Sequence, residues 1–226
     1  MNFIKGIFGR WVLGTSLLIS FVSTGANAND VYFSEYSEDT TWYNRYVEIH
    51  NQSGAKIDLK DYAILFCKDK CVNDGYYDSE LSFASMSTAA NRYIEDGGTY
   101  TIRHNHNSGG NKPDQDIRDA AAANGRATGN FYISGNDPLA LVLKKDSYST
   151  PNETWKTDKT TYSVMDVIGR AKTNNNTFSS VCGSANNLQN VVLIKKEQRK
   201  GRANWDVSRG VDGTSNDTER AEACDW

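Results

Sequence analysis

Arg45-Tyr46-Val47-Glu48-Ile49-His50 decides the fold of this chain. Polar and apolar residues alternate through it, the period-two pattern of a strand with one face buried and one face in water. Val47 and Ile49 are expected to point into a core, with Glu48 and His50 on the opposite face. Outward from this strand the same reading marks Val31 to Tyr36, Tyr62 to Cys67, Thr99 to Arg103, Leu139 to Leu143, Val164 to Ile168 and Val191 to Lys195. Turn material punctuates them: Asn51-Gln52-Ser53-Gly54, Asp96-Gly97-Gly98, Gly135-Asn136-Asp137-Pro138 and Gly201-Arg202-Ala203-Asn204. Many short strands so punctuated indicate an all-β sandwich or barrel. One helix interrupts them. Asp114 is its expected cap, Asp116 to Ala123 propagate it, and Asn124-Gly125 stop it. It reads as a short crossover covering an open end of the sandwich.

Lys68 to Glu95 and Lys145 to Thr161 read as long, irregular loop insertions. The first carries Tyr76, Tyr77, Leu81, Phe83 and Tyr93, enough apolar surface to pack down. The second is polar apart from Tyr148 and Trp155, and is the expected mobile one. No fixed-period repeat or long Pro/Gly/Ser linker divides the chain, so one domain is expected over residues 29–226.

The start of the chain reads differently. Lys5 and Arg10 precede the apolar run Trp11 to Val22, and Ala26-Asn27-Ala28 ends the small residues that follow. This is the pattern of a secretory signal peptide over residues 1–28 with cleavage after Ala28, and the apolar run is too short to cross a bilayer. Cleavage removes two cations and moves the net charge from −3 to −5. The expected product is secreted or periplasmic, without a transmembrane segment. Its acidity argues against nucleic acid as a partner, since binding phosphate chains takes an excess of Lys and Arg.

Export gives Cys67, Cys71, Cys182 and Cys224 a meaning, because an even number of cysteines in an oxidising compartment favours disulfides. Three pairings are possible. Cys67–Cys71 with Cys182–Cys224 is the favoured one, closing loops worth about 2 and about 4 kcal/mol on the chain-entropy model. Zinc is the alternative for Cys67-x3-Cys71, but the second pair lacks a matching hook.

Further along, the pattern resembles a known family. Phe33-Ser34-Glu35-Tyr36, then Val47-Glu48-Ile49-His50-Asn51, then Ile57-Asp58-Leu59-Lys60-Asp61-Tyr62 resemble the opening of a lamin tail domain. There an "SE" strand leads to "EI-x-N", a Gly turn and "DL-x-x-[WY]". Gly98 to Ile102, Gly135-Asn136-Asp137-Pro138-Leu139-Ala140-Leu141, Val164-Met165-Asp166-Val167-Ile168-Gly169 and Val192 to Lys196 with Asn204-Trp205 resemble its later strands in the family's order. The family motif falls on Glu35, Glu48, Asn51, Asp58, Gly135, Asp137, Asp166 and Gly169. The resemblance spans roughly residues 31–207 and implies an immunoglobulin-like β-sandwich of the exported bacterial type, which also occurs beside nuclease or other hydrolase domains. Two features depart from the family: Tyr62 stands at the aromatic position, and both insertions are longer than the domain needs.

Candidate chemistry is sparse. His104-x-His106, with Asp114 and Asp116 downstream, has metal-ligand types at a short spacing, although the Asn/Ser/Gly setting reads as a solvated loop. Asp212-Gly213-Thr214-Ser215-Asn216-Asp217 is oxygen-rich enough for calcium, with Asp212 and Asp217 as ligands, but lacks EF-hand spacing. Glu35 and Glu48 form a carboxylate pair of the kind glycosidases use, although both fall at structural positions of the resembled family. Lys195-Lys196-Glu197-Gln198-Arg199-Lys200-Gly201-Arg202 is a basic run of the kind that can bind phosphate, although in a chain of net −5 it reads as a solvated turn. Nothing here names a nucleophile, P-loop or cofactor fold. The leading expectation is therefore a monomeric, non-catalytic binding or adhesion module taking a protein, glycan or envelope ligand. The alternative is an exported metal-dependent hydrolase or nuclease, or its accessory domain.

Overall fold

The computed structural model describes residues 30–67, 76–83, 92–105, 112–128, 131, 133, 137–145, 155–156, 162–169, 191–197, 199–204 and 224–226. The expected signal peptide, Cys71, Cys182, His106, Gly135, Asp212 and Asp217 lie outside them. In chain order the strands are β1 (Val31–Glu38), β2 (Tyr46–Asn51), β3 (Ile57–Asp58), β4 (Tyr62–Phe66), β5 (Tyr76–Tyr77), β6 (Ser79–Ser82), β7 (Tyr93–Ile94), β8 (Thr99–His104), β9 (Gly125–Thr128), β10 (Leu139–Lys144), β11 (Trp155–Lys156), β12 (Tyr162–Ile168) and β13 (Val191–Ile194). The helix α1 (Gln115–Asn124) lies between β8 and β9.

The molecule is a β-sandwich. A five-stranded sheet, β13-β1-β2-β8-β9, and a four-stranded sheet, β12-β10-β4-β6, enclose one apolar cluster. β2 is the strand its alternation promised: Val47 and Ile49 are fully buried, while Glu48 and His50 lie on the half-buried outer face. β4 and the first four residues of β10 are buried throughout, so their sequence runs apolar instead of alternating. Phe66 meets Phe131, and Phe83 meets Tyr100, edge to face with centroids 6.0 Å apart.

Three expectations need correction. Lys68 to Glu95 is not one irregular stretch: β6 is the fourth strand of the second sheet, and Tyr77, Leu81 and Phe83 are buried. The second long stretch contributes β11, which pairs with β5 of the first, so the two insertions meet each other. Strands of two to four residues are too short to show a period, and neither announced itself.

The helix is a crossover that joins the parallel neighbours β8 and β9 and packs on both of them. Asp114 makes no side-chain cap bond. Its carboxylate instead accepts Asn44 Nδ2 at 3.0 Å, and its N–H donates to Asn44 Oδ1 at 3.0 Å. Gly125 ends the helix in extended backbone, φ 176°, so it is not needed for a left-handed turn. Space is the reason: a Cβ there would sit 2.1 Å from the Thr101 carbonyl oxygen.

Two bulges re-aim side chains along one closing edge of the sandwich. The β1–β2 register slips between Phe33 and Glu35, at Ser34, and the β10–β12 register slips between Leu141 and Val142, opposite Met165. Along that edge β1 approaches β12, and Asp166 sits between them.

Candidate functional site

On the outer face of the large sheet, Glu35 of β1 lies directly across from Glu48 of β2. Like charges so placed repel. The pair is relieved from both sides: Ser34 Oγ donates to Glu48 Oε1 at 2.6 Å, and the Tyr46 hydroxyl donates to Glu35. Partial burial holds the Glu35 carboxyl above its ordinary range; the Tyr46 bond opposes this, while Glu48 and Asp116 add to it. The same desolvation, followed by the bond to Glu35, raises the Tyr46 hydroxyl. Glu48 thus takes its hydrogen bond from a hydroxyl.

Asn51, Asp58 and Asp166 hold backbone. Asn51, fully buried at the end of β2, donates to the carbonyls of Ala55 (2.7 Å) and Ile94 (2.9 Å) and accepts the Ser53 N–H (3.0 Å). One amide thereby fixes the turn after β2 and clips it to β7. Asp58 accepts the Lys60 N–H at 3.0 Å and pairs with Arg92 Nε at 2.8 Å, locking the short turn between β3 and β4. Gly169 follows β12 at φ 78°, a left-handed conformation that glycine adopts without strain. Asp137 is buried at the entry to β10.

Asp166 is the centre of the closing edge. Its Oδ2 accepts the Phe33 N–H at 3.0 Å and Lys195 Nζ at 2.7 Å, and its Oδ1 accepts the Arg202 N–H at 2.8 Å. The side chains of Lys195 and Asp166 are 1% and 0% exposed. Burial pushes the Asp166 carboxyl up, against the pull of Lys195 and the two backbone donors. The Lys195 ammonium also lies over the rings of Trp226 and Tyr32, at 4.4 and 5.4 Å. Gly201 permits this closure: a Cβ there would lie 2.6 Å from the Met165 carbonyl oxygen.

The basic run, expected as a solvated turn, is engaged internally. Lys195 pairs with Asp166, and Lys196 Nζ donates to the Cys224 carbonyl at 2.9 Å. Arg202 and Arg199 reach the buried Asp225 at 2.7 and 3.7 Å, and Lys200 pairs with Asp30. The Lys196 N–H donates to the Asp225 carbonyl at 2.7 Å, so residues 224–226 lie along the run as a strap. Cys67 and Cys224 are fully buried and disulfide-bonded.

His104 is not in a solvated loop. It ends β8, is 8% exposed, and meets Trp42 edge-on with ring centroids 5.6 Å apart. Trp42, Arg45, His104, Phe131 and Ile133 line a crevice with no room for a water-sized group. Arg45 closes it, reaching the Ile133 carbonyl at 2.7 Å and Glu38 at 3.0 Å. Among the described residues no three His, Cys, Asp or Glu side chains gather as a metal site, and no helix is long and apolar enough to cross a membrane.

The sequence reading missed Ser34, Lys195 as the partner of Asp166, and the strap. A signal for Lys195 was present: an apolar strand, Val191 to Ile194, runs straight into it, which places a lysine against a core. No family model and no curated protein matches the chain.

Proposed function

We propose that the chain is an exported, monomeric, non-catalytic β-sandwich of the lamin-tail type that acts by binding a protein, glycan or envelope ligand outside the cytoplasm of a bacterium. One observation carries the reading: the described motif residues whose bonds are resolved are spent on the frame. Asn51, Asp58 and Asp166 hold backbone, and Glu48 holds the neighbouring "SE" strand through Ser34. A frame fastened this way leaves recognition to the decorated surface, where the β5–β11 ribbon joins the two insertions. The resemblance is supported by the contact between its first two motifs, since Ser34 and Glu48 belong to "SE" and "EI-x-N" respectively.

The second reading, an exported hydrolase, rests on the opposition of Glu35 and Glu48, with Glu35 held up toward an acid's role. Binding of purified protein to glycan arrays, envelope fractions and culture-supernatant proteins, run beside glycosidase and phosphodiesterase assays with Ca²⁺, Mg²⁺ or Zn²⁺, separates the two. Saturable capture without turnover is expected. Turnover lost in Glu35→Gln or Glu48→Gln would replace the first reading with the second.

A further inference from the structure

We infer that Lys195 and Asp166 are the two halves of an intramolecular amide cross-link that forms without any other reactant. Among the described lysine–carboxylate pairs this one differs in kind. Lys56–Glu95 and Lys60–Asp58 have their lysines half exposed, as does Lys200–Asp30. Lys195 Nζ instead stands 2.7 Å from an Asp166 oxygen with both side chains out of water. The amine thus touches an oxygen of the carboxyl group whose carbon it would attack, and folding has already supplied the orientation an intermolecular condensation lacks.

The surroundings suit each step. Condensation needs the neutral pair, amine and carboxylic acid, and burial raises the Asp166 carboxyl in that direction. A proton passes from the Lys195 ammonium to Asp166. The nitrogen lone pair then attacks the carboxyl carbon, and negative charge gathers on oxygen. The Phe33 and Arg202 N–H groups already point at the two Asp166 oxygens, at 3.0 and 2.8 Å, as donors for that charge. A second proton leaves the nitrogen for the departing oxygen, the C–O bond breaks, and one water is released as the N–C bond remains. Ammonium and carboxylate give amide and water, so atoms and charge balance and nothing is oxidised. The Trp226 ring 4.4 Å away and the Tyr32 ring help keep bulk water from reversing the step. The bond fastens β12 of the small sheet to the residue following β13 of the large one.

The test is the intact mass of the purified protein, unfolded in denaturant with its disulfides reduced, after prolonged incubation at neutral pH. The expected mass is lower than that of its own sequence by one water. Trypsin should fail to cut after Lys195 and should release a branched peptide joining Lys195 to Asp166. Lys195→Arg and Asp166→Ala should restore the full mass whether or not they fold, and Lys200→Arg should retain the loss. A wild-type chain at full mass overturns the inference. So does a water loss that maps to Asp96-Gly97, where a cyclic imide would carry the same mass change.

Discussion

Asn51 and Asp166 are both fully buried and each makes three hydrogen bonds, yet they hold opposite ends of the argument about how a sequence specifies this fold. Asn51 is neutral, and two of its three partners lie within four residues of it. The turn that needs fixing is also the turn that supplies the bonds. Asp166 is a carboxylate whose partners lie 133, 29 and 36 residues away. Its burial is tolerable only if a cation from a different strand arrives beside it. A local amide thus sets a corner, while a distant ion pair sets how two sheets close on each other.

The largest break in that comparison comes from leaving Asp166 without its cation. Lys195→Met should cost about 3–5 kcal/mol in urea unfolding, because a buried carboxylate remains without its counter-ion. The double variant Lys195→Met/Asp166→Leu should recover part of the loss. A Lys195→Met cost below that of Asn51→Ala would mean that the closing edge is held by packing and not by the pair.

Asn51→Ala comes next, at about 2 kcal/mol, since it leaves the Ile94 carbonyl and the Ser53 N–H in the interior without the amide. The damage should stay local: hydrogen exchange should quicken at Ser53 and in β7 and leave β12 and β13 unchanged. Lys56→Ala is the surface reference. Its bond to Glu95 is 2.6 Å long but the side chains are 50% and 70% exposed, so the cost should be under about 0.5 kcal/mol and vanish in salt.

The same contrast explains what could be read in advance. β2 was legible through its alternation, and β4 and β10 through their apolar runs. Asn51 was legible as a turn residue beside Ser53-Gly54. Asp166 was legible as a position but not in its role, because nothing local distinguishes a buried carboxylate awaiting Lys195 from a turn-forming one. The partners of the basic run were hidden for the same reason. Five cations in eight residues look like a patch until Asp30, Asp166 and Asp225 arrive from elsewhere to meet them. Gly125 carried a signal of the wrong kind, since a helix stop and a close approach to Thr101 call for the same residue.

The smallest effect tests whether the Glu35–Glu48 opposition is a third kind of fastening or a tolerated strain. Glu35 titrates in the folded state above its ordinary 4.5, chiefly through partial burial. Between that value and the folded one, the native state still binds a proton that the unfolded chain has released. Stability therefore falls as pH rises through this window and is level above it. Asp166 contributes in the same direction from 3.8 upward wherever it remains a free acid, so a cross-linked chain should lack that part of the slope. Glu35→Gln keeps an acceptor for the Tyr46 hydroxyl but has nothing to titrate. Its melting temperature, followed between about pH 4 and 7, should show a shallower fall than the wild type and lie at or above it at the neutral end. An unchanged slope would assign the pH dependence to other groups and leave the opposed carboxylates with no energetic signature of their own.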